Sequence, residues 1–372
     1  MIHTVTVSHA LGSYQVSVGP GLLERMPTIA AGLFSSRRTA MIADDTVFAL
    51  YTAGRFGTVS WNGETLLVPP GESSKSRDLW ARLTDELLER RFGRDSGLIG
   101  FGGGVVGDLA GFVAATYMRG VPYVLVPTTL LAMLDASVGG KTAVNAPQGK
   151  NLIGAFHPPA AVIADPLTLA TLPEREYRSG LAEAVKHGLI ADADYFVWLE
   201  IEAAAILRRD PATVARLVHR SVQIKAEIVS ADERESGRRA VLNAGHTVAH
   251  ALEQLSGYRL PHGEAVALGL LAECDVAERL GMALPGLRAR VATLLEHLGL
   301  PVRLAPSLNP QAAVAHMASD KKNRGASIHC ALPAGLGRMN GENGWTIAVP
   351  PEQVAAALVK LRDQDGGVDP AI

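Results

Sequence analysis

One glutamate and three histidines in the C-terminal half have the types and spacing of a metal site. Glu183 lies in GLAEAVKHG, His246 and His250 lie in NAGHTVAH, and His262 lies in LPHGEA. His246 and His250 are four residues apart and share one face of a predicted helix. Carboxylate and imidazole groups bind first-row divalent metals, and three protein ligands leave a coordination position open for substrate. The sequence therefore predicts an open catalytic metal site.

Two features bear on which residues bind the metal. Glu183 lies in the apolar helical run LAEAVKHGLI, where a charge is costly unless it is paired or bound to a metal. His187, four residues after Glu183, is a rival ligand that we rank below the others, as a residue beside the site or at the surface. The alternative for the pair His246 and His250 is two partly buried or surface histidines without a ligand. The position of Glu183 in this apolar run favours the metal site.

Cationic and polar residues near these ligands suit an anionic substrate. One group lies between Glu183 and His246 in the sequence: Lys186, Lys225, Arg239 and Asn243. A second group lies in LDASVGGKTAVN and QGKNLIG: Asp135, Lys141, Lys150 and Asn151. Lysines beside paired glycines suit a phosphate, because the glycines allow close backbone approach. A solvated loop is the alternative for the second group.

A glycine-rich turn in GFGGGVVGDLAGF suggests a nucleotide site. Gly102, Gly104 and Gly107 satisfy the G-x-G-x-x-G pattern, follow a predicted strand and open a predicted helix. Such a turn brings the backbone close to a pyrophosphate, whose charge the helix N-terminus stabilises. The pattern departs from the usual fingerprint, because no acidic residue follows a later strand about 20 residues on. A simple tight turn is the alternative.

The elements around the turn predict where these groups lie. Up to about residue 165, the apolar runs TAMIA, TLLVP, GLIGFGG, YVLVP and AVIAD alternate with helical spacing at Arg77–Arg91 and Asp108–Met118. This alternation predicts a parallel sheet flanked by helices. Asp44 ends the first of these strands, and Glu72 and Lys75 follow the second. Because ligands bind at the carboxyl edge of such sheets, these side chains and the glycine turn together favour a nucleotide cofactor.

After Asp165 the strand pattern gives way to helical periodicity. The predicted helices cover 179–190, 194–208, 211–230, 244–256, 263–280, 286–298, 310–318 and 351–363. We expect an α/β domain over 1–165, an all-helical domain over 166–363 and a disordered tail over 364–372. The first 19 residues alternate like a pair of strands.

Composition excludes several classes of protein. The net charge of -2 over 372 residues gives no reason to expect nucleic acid or an anionic membrane as partner. Two cysteines, Cys274 and Cys330, are too few for a disulfide framework or a thiolate metal site. The N-terminus does not resemble a signal peptide, and no apolar run is long enough to span a membrane. We expect a cytoplasmic protein.

The ordered motifs resemble the 3-dehydroquinate synthase family, one of the sugar-phosphate cyclases. The motifs are GGGVVGDLAGF, VPTTLLAMLDASVGGKTAVN, GKNLIGAFHPP, LPEREYRSGLAEAVKHGLI, DERESGRRAVLNAGHT and HGEAVALG, which lie between about Asp44 and Asn323. The resemblance implies a Rossmann-like NAD-binding α/β domain, an all-α metal-binding domain, NAD and one divalent metal, zinc or cobalt, as cofactors, and a homodimer.

The resemblance also implies roles for single residues. Glu183, His246 and His262 correspond to the metal ligands, and His250 to a catalytic group beside them. The other implied catalytic residues are Asp135, Lys141, Lys186, Lys225 and Asn243. The implied NAD contacts are Asp44, Glu72, Lys75, Gly103, Gly104, Val105, Val106, Gly107, Asp108, Thr128, Thr129, Lys141, Lys150, Thr168 and Thr171. The implied substrate contacts are Asn151, Arg239, Lys321 or Lys322, and Arg119 reaching into the partner subunit.

The implied reaction turns 3-deoxy-D-arabino-heptulosonate 7-phosphate into 3-dehydroquinate and phosphate, a carbon–oxygen lyase step of the shikimate pathway. It proceeds by transient oxidation with NAD, phosphate elimination, re-reduction, ring opening and aldol closure. Two alternatives stay open: a cyclase acting on sedoheptulose 7-phosphate or glucose 6-phosphate, and a metal-dependent polyol dehydrogenase. Arg239 and Asn243 favour a substrate with a carboxylate, and the lysines count against the dehydrogenase.

Overall fold

A computed structural model describes residues 1–34, 38–53, 59–235, 237–319, 327–341 and 344–363. Lys321, Lys322 and the predicted tail 364–372 therefore lie outside the described residues. The strands are β1 His3–His9, β2 Gly12–Val18, β3 Arg38–Asp44, β4 Glu64–Val68, β5 Ser96–Gly102, β6 Tyr123–Pro127, β7 Lys141–Ala146, β8 Gly149–Phe156, β9 Ala161–Ala164, β10 Ile328–Cys330, β11 Pro333–Gly335, β12 Arg338–Met339 and β13 Ile347–Val349. The helices are α1 Leu22–Leu33, α2 Asp45–Phe48, α3 Arg77–Glu89, α4 Gly104–Thr116, α5 Glu174–Ala191, α6 Ala193–Leu207, α7 Pro211–Ala231, α8 His246–Leu255, α9 His262–Arg279, α10 Leu287–His297, α11 Pro310–Ser319 and α12 Pro351–Asp363.

The first of two compact units comprises residues 1–180 and 209–233. Within the described residues it contains a seven-stranded sheet in the order β1-β2-β9-β6-β5-β3-β4. β1 pairs antiparallel with β2, and the other neighbouring strands are parallel. The predicted strand pair and the five predicted strands are thereby confirmed, but β4, at the edge of the sheet, is only partly buried and not fully buried as predicted. Every residue of β5 and β6 is buried, as expected for strands covered on both faces.

The strand order reverses at β3, which pairs with β4 on one side and β5 on the other. Such a reversal opens a crevice at the carboxyl ends of the strands, where nucleotides bind in sheets of this type. Asp44 is the last residue of β3 and Gly102 the last of β5. The topology therefore places the predicted acidic residue and the glycine turn beside the same crevice.

Two parts of the first unit differ from the sequence expectation. The polar segment after β6 forms an antiparallel hairpin of β7 and β8, which the sequence reasoning did not predict. Helix α7 and the residues that follow it pack with this unit, since the Ser8 amide donates to Ser230 Oγ on α7 at 3.0 Å and the Ala10 amide donates to Glu233 Oε2, just after α7, at 2.7 Å. The sequence-based division at residue 165 stays a prediction.

The second unit comprises residues 181–208 and 234–372. Helices over the eight predicted runs are confirmed, although the one over 211–230 belongs to the first unit, and the short strands β10 to β13 are an addition that the sequence did not indicate. Helix α9 is buried along most of its length, and its Asp275 pairs with Arg279 at 2.6 Å and with Lys360 at 2.5 Å. Across the described parts of the chain, no helix has both the length and the apolar character needed to cross a membrane.

Candidate functional site

The structure brings Glu183, His246 and His262 together within the second unit. Glu183 lies on α5, while His246 and His262 are the first residues of α8 and α9. Glu183 Oε1 lies 3.7 Å from His246 Nε2 and 3.6 Å from His262 Nε2. Ligands at about 2.0–2.1 Å in a tetrahedral zinc site are separated by about 3.4 Å. The three donor atoms therefore have the spacing of a metal site, and they all lie within 4.8 Å of one another.

Glu183 supplies the strongest indication that this site holds a cation. Its side chain is fully buried, and neither carboxylate oxygen has a hydrogen-bond partner among the described residues. The Lys186 ammonium forms an ion pair with Oε2, so that Oε1 faces the two histidines. Burial alone would raise the pKa of Glu183, but the charge of Lys186 and the two nearby imidazoles hold it well below its usual range. Lys186 compensates Oε2 but not Oε1, and a buried carboxylate oxygen without a partner is costly, so a divalent cation at Oε1 would remove that cost. The residues fit a metal.

The two histidines are oriented by different partners. His246 Nδ1 lies 3.1 Å from the Ala244 carbonyl oxygen. Burial and the charge of Lys186 lower the pKa of His246 to about 3, so this ring is neutral, as a metal ligand must be. His262 Nδ1 lies 3.5 Å from Glu253 Oε2.

His262 is more basic than His246. Burial disfavours its charged form, but the carboxylates of Glu183 and Glu253 outweigh burial and raise the pKa of His262 to about 9. A metal must therefore displace a proton from this ring when it binds. The sequence reasoning missed Glu253, although its position seven residues after His246 places both on one face of α8.

The other predicted groups of this unit lie close to the ligands in sequence. The His250 ring centroid is 5.6 Å from that of His246. Asn243 donates its amide hydrogen to Glu235 Oε1 at 2.6 Å, and Arg239 is buried. His187, the rival ligand, is fully buried and is not a surface residue.

A tight backbone turn sets the start of α8. Gly245 has a φ of 79°, and a side chain on Gly269 of α9 would overlap the Gly245 carbonyl. The Gly245 amide donates to Glu273 Oε2 at 2.6 Å, whereas Glu273 Oε1 has no hydrogen-bond partner among the described residues. Glu273 is thus a buried acid that supports the turn before His246, and the sequence reasoning also missed it.

The buried Glu273 predicts a pH-dependent stability. Burial raises the pKa of Glu273 to about 8, and the hydrogen bond from Gly245 only partly offsets this. The folded state then holds a proton that the unfolded state releases above pH of about 4.3, so this contribution to stability is complete at low pH and is lost as the pH rises to about 8. We expect Glu273→Gln to match the wild type near pH 4 and to exceed its free energy of unfolding by several kcal/mol (on the order of 4–5) near pH 8.5.

Denaturant titrations of both proteins from pH 4 to pH 9 check this expectation. Asp275→Asn, which removes an ion-paired carboxylate of the same helix, serves as the control. It should not raise the free energy of unfolding at high pH relative to the wild type. Parallel curves for the wild type and Glu273→Gln would show that the Glu273 carboxyl is ionised in the folded protein.

The glycine turn of the first unit has the features of a phosphate site. Helix α4 begins at Gly104, and no side chain caps its N-terminus. A Cβ on Gly103 would lie 3.0 Å from the Thr129 methyl carbon, and one on Gly102 would lie 3.2 Å from Asp44 Cβ. These close approaches require glycine.

Two buried hydroxyls near the turn add to this indication. Thr128 Oγ1 and Ser137 Oγ are buried without a hydrogen-bond partner among the described residues. Ser137 lines a small pocket with Gly102, Gly103, Gly104 and Gly107. An unsatisfied hydroxyl beside a free helix N-terminus fits the phosphates of a dinucleotide. The sequence reasoning missed Ser137.

A buried charge cluster lies among the predicted NAD contacts. Lys75 forms an ion pair with Asp108 and donates to Asn151 Oδ1. Burial raises the pKa of Asp108, and the charge of Lys75 opposes this shift. Glu72 Oε1 accepts from Asn145 Nδ2 at 2.7 Å. The β7–β8 hairpin, missed from the sequence, thus supplies partners to the predicted residues.

A second ion pair joins two of the predicted catalytic groups. Lys225 Nζ on α7 donates to the Asp135 carbonyl at 2.5 Å and to Asp135 Oδ1 at 2.7 Å. Lys141 is exposed at the start of β7, and Lys150 is half-buried on β8.

The other predicted NAD and substrate contacts of the first unit differ in their hydrogen bonds and burial. The hydroxyl of Thr168 donates to the Asp165 carbonyl, and that of Thr171 to the Thr168 carbonyl, so both hydroxyls hold their own turn. Arg119 has a φ of 68° and ends a short turn after α4. Val105 and Val106 lie in the first turn of α4, where Val106 is buried.

Comparison with known proteins links both sites to one family. A family model described as 3-dehydroquinate synthase N-terminal matches residues 65–179, and one described as 3-dehydroquinate synthase C-terminal matches residues 180–323. A curated 3-dehydroquinate synthase from Symbiobacterium thermophilum is 44% identical over 94% of this chain and 98% of its own length. One from Halorhodospira halophila is 47% identical over 87% of this chain and 91% of its own length.

Solved structures of related cyclases share the fold. The 2-epi-5-epi-valiolone synthase from Streptomyces hygroscopicus, solved with NAD+ and Zn2+, is 31% identical with a TM-score of 0.83 over 98% of this chain and all of its own. A 2-deoxy-scyllo-inosose synthase, solved with carbaglucose-6-phosphate, NAD+ and Co2+, is 24% identical with a TM-score of 0.85 over 96% of this chain and 99% of its own. The second similarity shows the fold alone.

Proposed function

The chain belongs to the 3-dehydroquinate synthase family, and from this we propose that it converts 3-deoxy-D-arabino-heptulosonate 7-phosphate into 3-dehydroquinate and phosphate. The reaction makes it a phosphate-eliminating carbon–oxygen lyase that uses NAD and one divalent metal, zinc or cobalt. The observation that carries the proposal is the site of Glu183, His246 and His262, in which Oε1 of a fully buried carboxylate has no hydrogen-bond partner among the described residues and faces two imidazoles.

Each cofactor has residues suited to hold it. Glu183 Oε1, His246 Nε2 and His262 Nε2 would hold the metal. The glycine turn at the start of α4, with Thr128 and Asp44, would hold NAD. The metal held there would supply a Lewis acid for a substrate hydroxyl, and NAD would supply a reversible hydride acceptor.

The residues of the chain position the reactants. Lys186 keeps the second carboxylate oxygen of Glu183 in place through its ion pair, so that Oε1 stays directed at the metal position. Lys225 fixes Asp135 through two hydrogen bonds, which holds a carboxylate ready to accept a hydrogen bond from the substrate. Positioning and electrostatics carry most of the catalytic effect in such a site.

Further roles follow from the family motifs. We propose Arg239 and Asn243 for the substrate carboxylate, and Arg119, Lys141, Lys150 and Asn151 for the phosphate or the nicotinamide. We propose that Lys321 or Lys322 also binds the anionic substrate. We also propose a cytoplasmic homodimer with an NAD domain over 1–165 and a metal domain over 166–363.

A phosphate-release assay tests the proposed reaction. With the heptulosonate phosphate, NAD and zinc or cobalt, we expect one phosphate for each substrate consumed and no accumulation of NADH, because the hydride returns in each turnover. Colorimetric phosphate detection and absorbance at the NADH band measure the two quantities. Steady NADH production from a polyol, without phosphate release, would contradict the proposal.

The same assay separates the related cyclases. Sedoheptulose 7-phosphate and glucose 6-phosphate lack the carboxylate, so we expect phosphate release from them to be much slower. A missing charged contact costs about 1.5–3 kcal/mol or more, which corresponds to about a 10- to 100-fold loss in kcat/KM. Faster release from either of these substrates would instead identify the chain as a different cyclase.

A further inference from the structure

A buried glutamate contacts the far side of one predicted metal ligand. Glu253 lies in the last turn of α8 and is 7% exposed. Its Oε2 is 3.5 Å from His262 Nδ1, while His262 Nε2 faces Glu183 Oε1 at 3.6 Å. The His262 ring thus lies between two carboxylates, one of which is a predicted metal ligand.

The contact at Nδ1 decides which nitrogen of His262 can bind a metal. A carboxylate at Nδ1 favours a proton on that nitrogen, which leaves the lone pair on Nε2. The negative charge also makes the ring a stronger electron donor to a cation. Among the described residues, His246 has a neutral partner at the equivalent atom, the Ala244 carbonyl. Of the two histidines, His262 is therefore the one that a charged residue orients.

The position of Glu253 is itself fixed by the end of α8. Its carbonyl accepts from Ser256 Oγ at 2.8 Å and from the Tyr258 amide at 2.7 Å. Tyr258 has a φ of 60°, which turns the chain away from the helix towards α9, and His262 opens α9 four residues later. The same short segment therefore sets the positions of both the carboxylate and the ring that it contacts.

We propose that Glu253 is a positioning residue that holds His262 in the orientation and protonation state required for metal binding. The inference rests on the proposed metal site but does not depend on which sugar phosphate is the substrate. It adds a charged group to the site that does not itself bind the metal. Loss of such a group lowers metal affinity by about 10- to 100-fold in other metalloproteins.

The test measures metal affinity directly. The metal is removed from the purified full chain, and Co2+ and Zn2+ are titrated against a chromophoric chelator. We expect the dissociation constant to rise by about 10-fold in Glu253→Gln, which keeps an oxygen acceptor, and by up to about 100-fold in Glu253→Ala, which removes it. The absorption spectrum of bound Co2+ should change in Glu253→Ala, because the His262 ring is no longer held.

Asp275→Asn is the matched control, since Asp275 is a buried carboxylate on the helix that His262 opens and it pairs with Arg279 and Lys360 instead. It should lower stability without changing metal affinity. Unchanged affinity and spectra in both Glu253 variants would overturn the inference, and so would an equal loss in Asp275→Asn. If Glu253→Ala does not fold, the isosteric Glu253→Gln decides.

Two further outcomes separate this inference from the proposed function. A wild type that binds Co2+ in a manner dependent on Glu253, but releases no phosphate from the heptulosonate phosphate, would support the inference and contradict the reaction. If the wild type releases phosphate but all variants bind the metal with equal affinity, the reaction would be supported and the inference about Glu253 would be contradicted.

Discussion

Glu183→Gln is expected to abolish metal binding and, at the same time, to destabilise the metal-free protein. Oε1 is the atom that faces both imidazoles, so the loss in affinity should exceed the roughly 10- to 100-fold that accompanies removal of a group that only orients a ligand. The destabilisation arises because Lys186 is almost fully buried and would lose its ion-pair partner. Breaking a buried ion pair from one side costs about 3–5 kcal/mol. Chelator competition and denaturant titration measure the two effects.

A double substitution separates the two effects. In Glu183→Gln/Lys186→Met no charge of the pair is left unpaired, so we expect most of the free energy of unfolding to return. Metal affinity should stay as low as in the single variant, because the ligand oxygen still carries no charge. Recovery of metal binding in the double variant would show that Glu183 acts on the fold and not on the metal.

Removal of the metal from the wild type completes this experiment. A chelator should abolish phosphate release, and added zinc or cobalt should restore it, while Glu183→Gln should stay inactive at the same metal concentration. Full activity of the metal-free wild type would overturn the assignment of Glu183, His246 and His262.

The parts of the fold that the sequence predicted are those with a strong local pattern. Strands such as β5 and β6 are buried on both faces, so their apolar runs indicate strands without knowledge of their neighbours. The β7–β8 hairpin has no such pattern, because β8 leaves Leu152 and Phe156 exposed and contains two glycines. β10 to β13 have two or three residues each, too few for a periodicity to appear.

The residues of the metal site could also be predicted only in part from the sequence, for a different reason. Glu183, His246 and His262 are of residue types that bind metals, so their chemistry could be considered before any contact was known. Glu253 and Glu273 are glutamates in helical segments, which ordinarily face solvent. Only the packing of α8 against α9 shows that both are buried, that Glu253 contacts His262 and that Glu273 accepts from the turn before His246. From the sequence alone, without knowledge of tertiary contacts, such a residue cannot be distinguished from a surface glutamate.

Lys225→Met is expected to lower kcat/KM by about 100- to 1,000-fold, the cost of removing one positioned donor from a catalytic site. Lys225 is buried, and its two hydrogen bonds to Asp135 join α7 to the turn after β6. Without the ammonium, the Asp135 carboxylate loses both its orientation and a neighbouring positive charge. Because the proposed role of the pair is to position substrate, kcat should fall along with kcat/KM, and NAD affinity should change little. Steady-state kinetics and NAD titration by protein fluorescence measure these quantities.

A double-mutant cycle decides whether the two residues act as one unit. Asp135→Asn keeps the size of the side chain and its carbonyl contact with Lys225 but removes the charge. If Lys225 acts through Asp135, the double variant Asp135→Asn/Lys225→Met should be no slower than the slower single variant, since the second change removes an interaction that is already lost. Multiplied losses would instead mean that each side chain contacts the substrate independently. Arg220→Gln, a substitution of a half-exposed cation on the same helix, is the matched control and should leave kcat/KM within about twofold of the wild type.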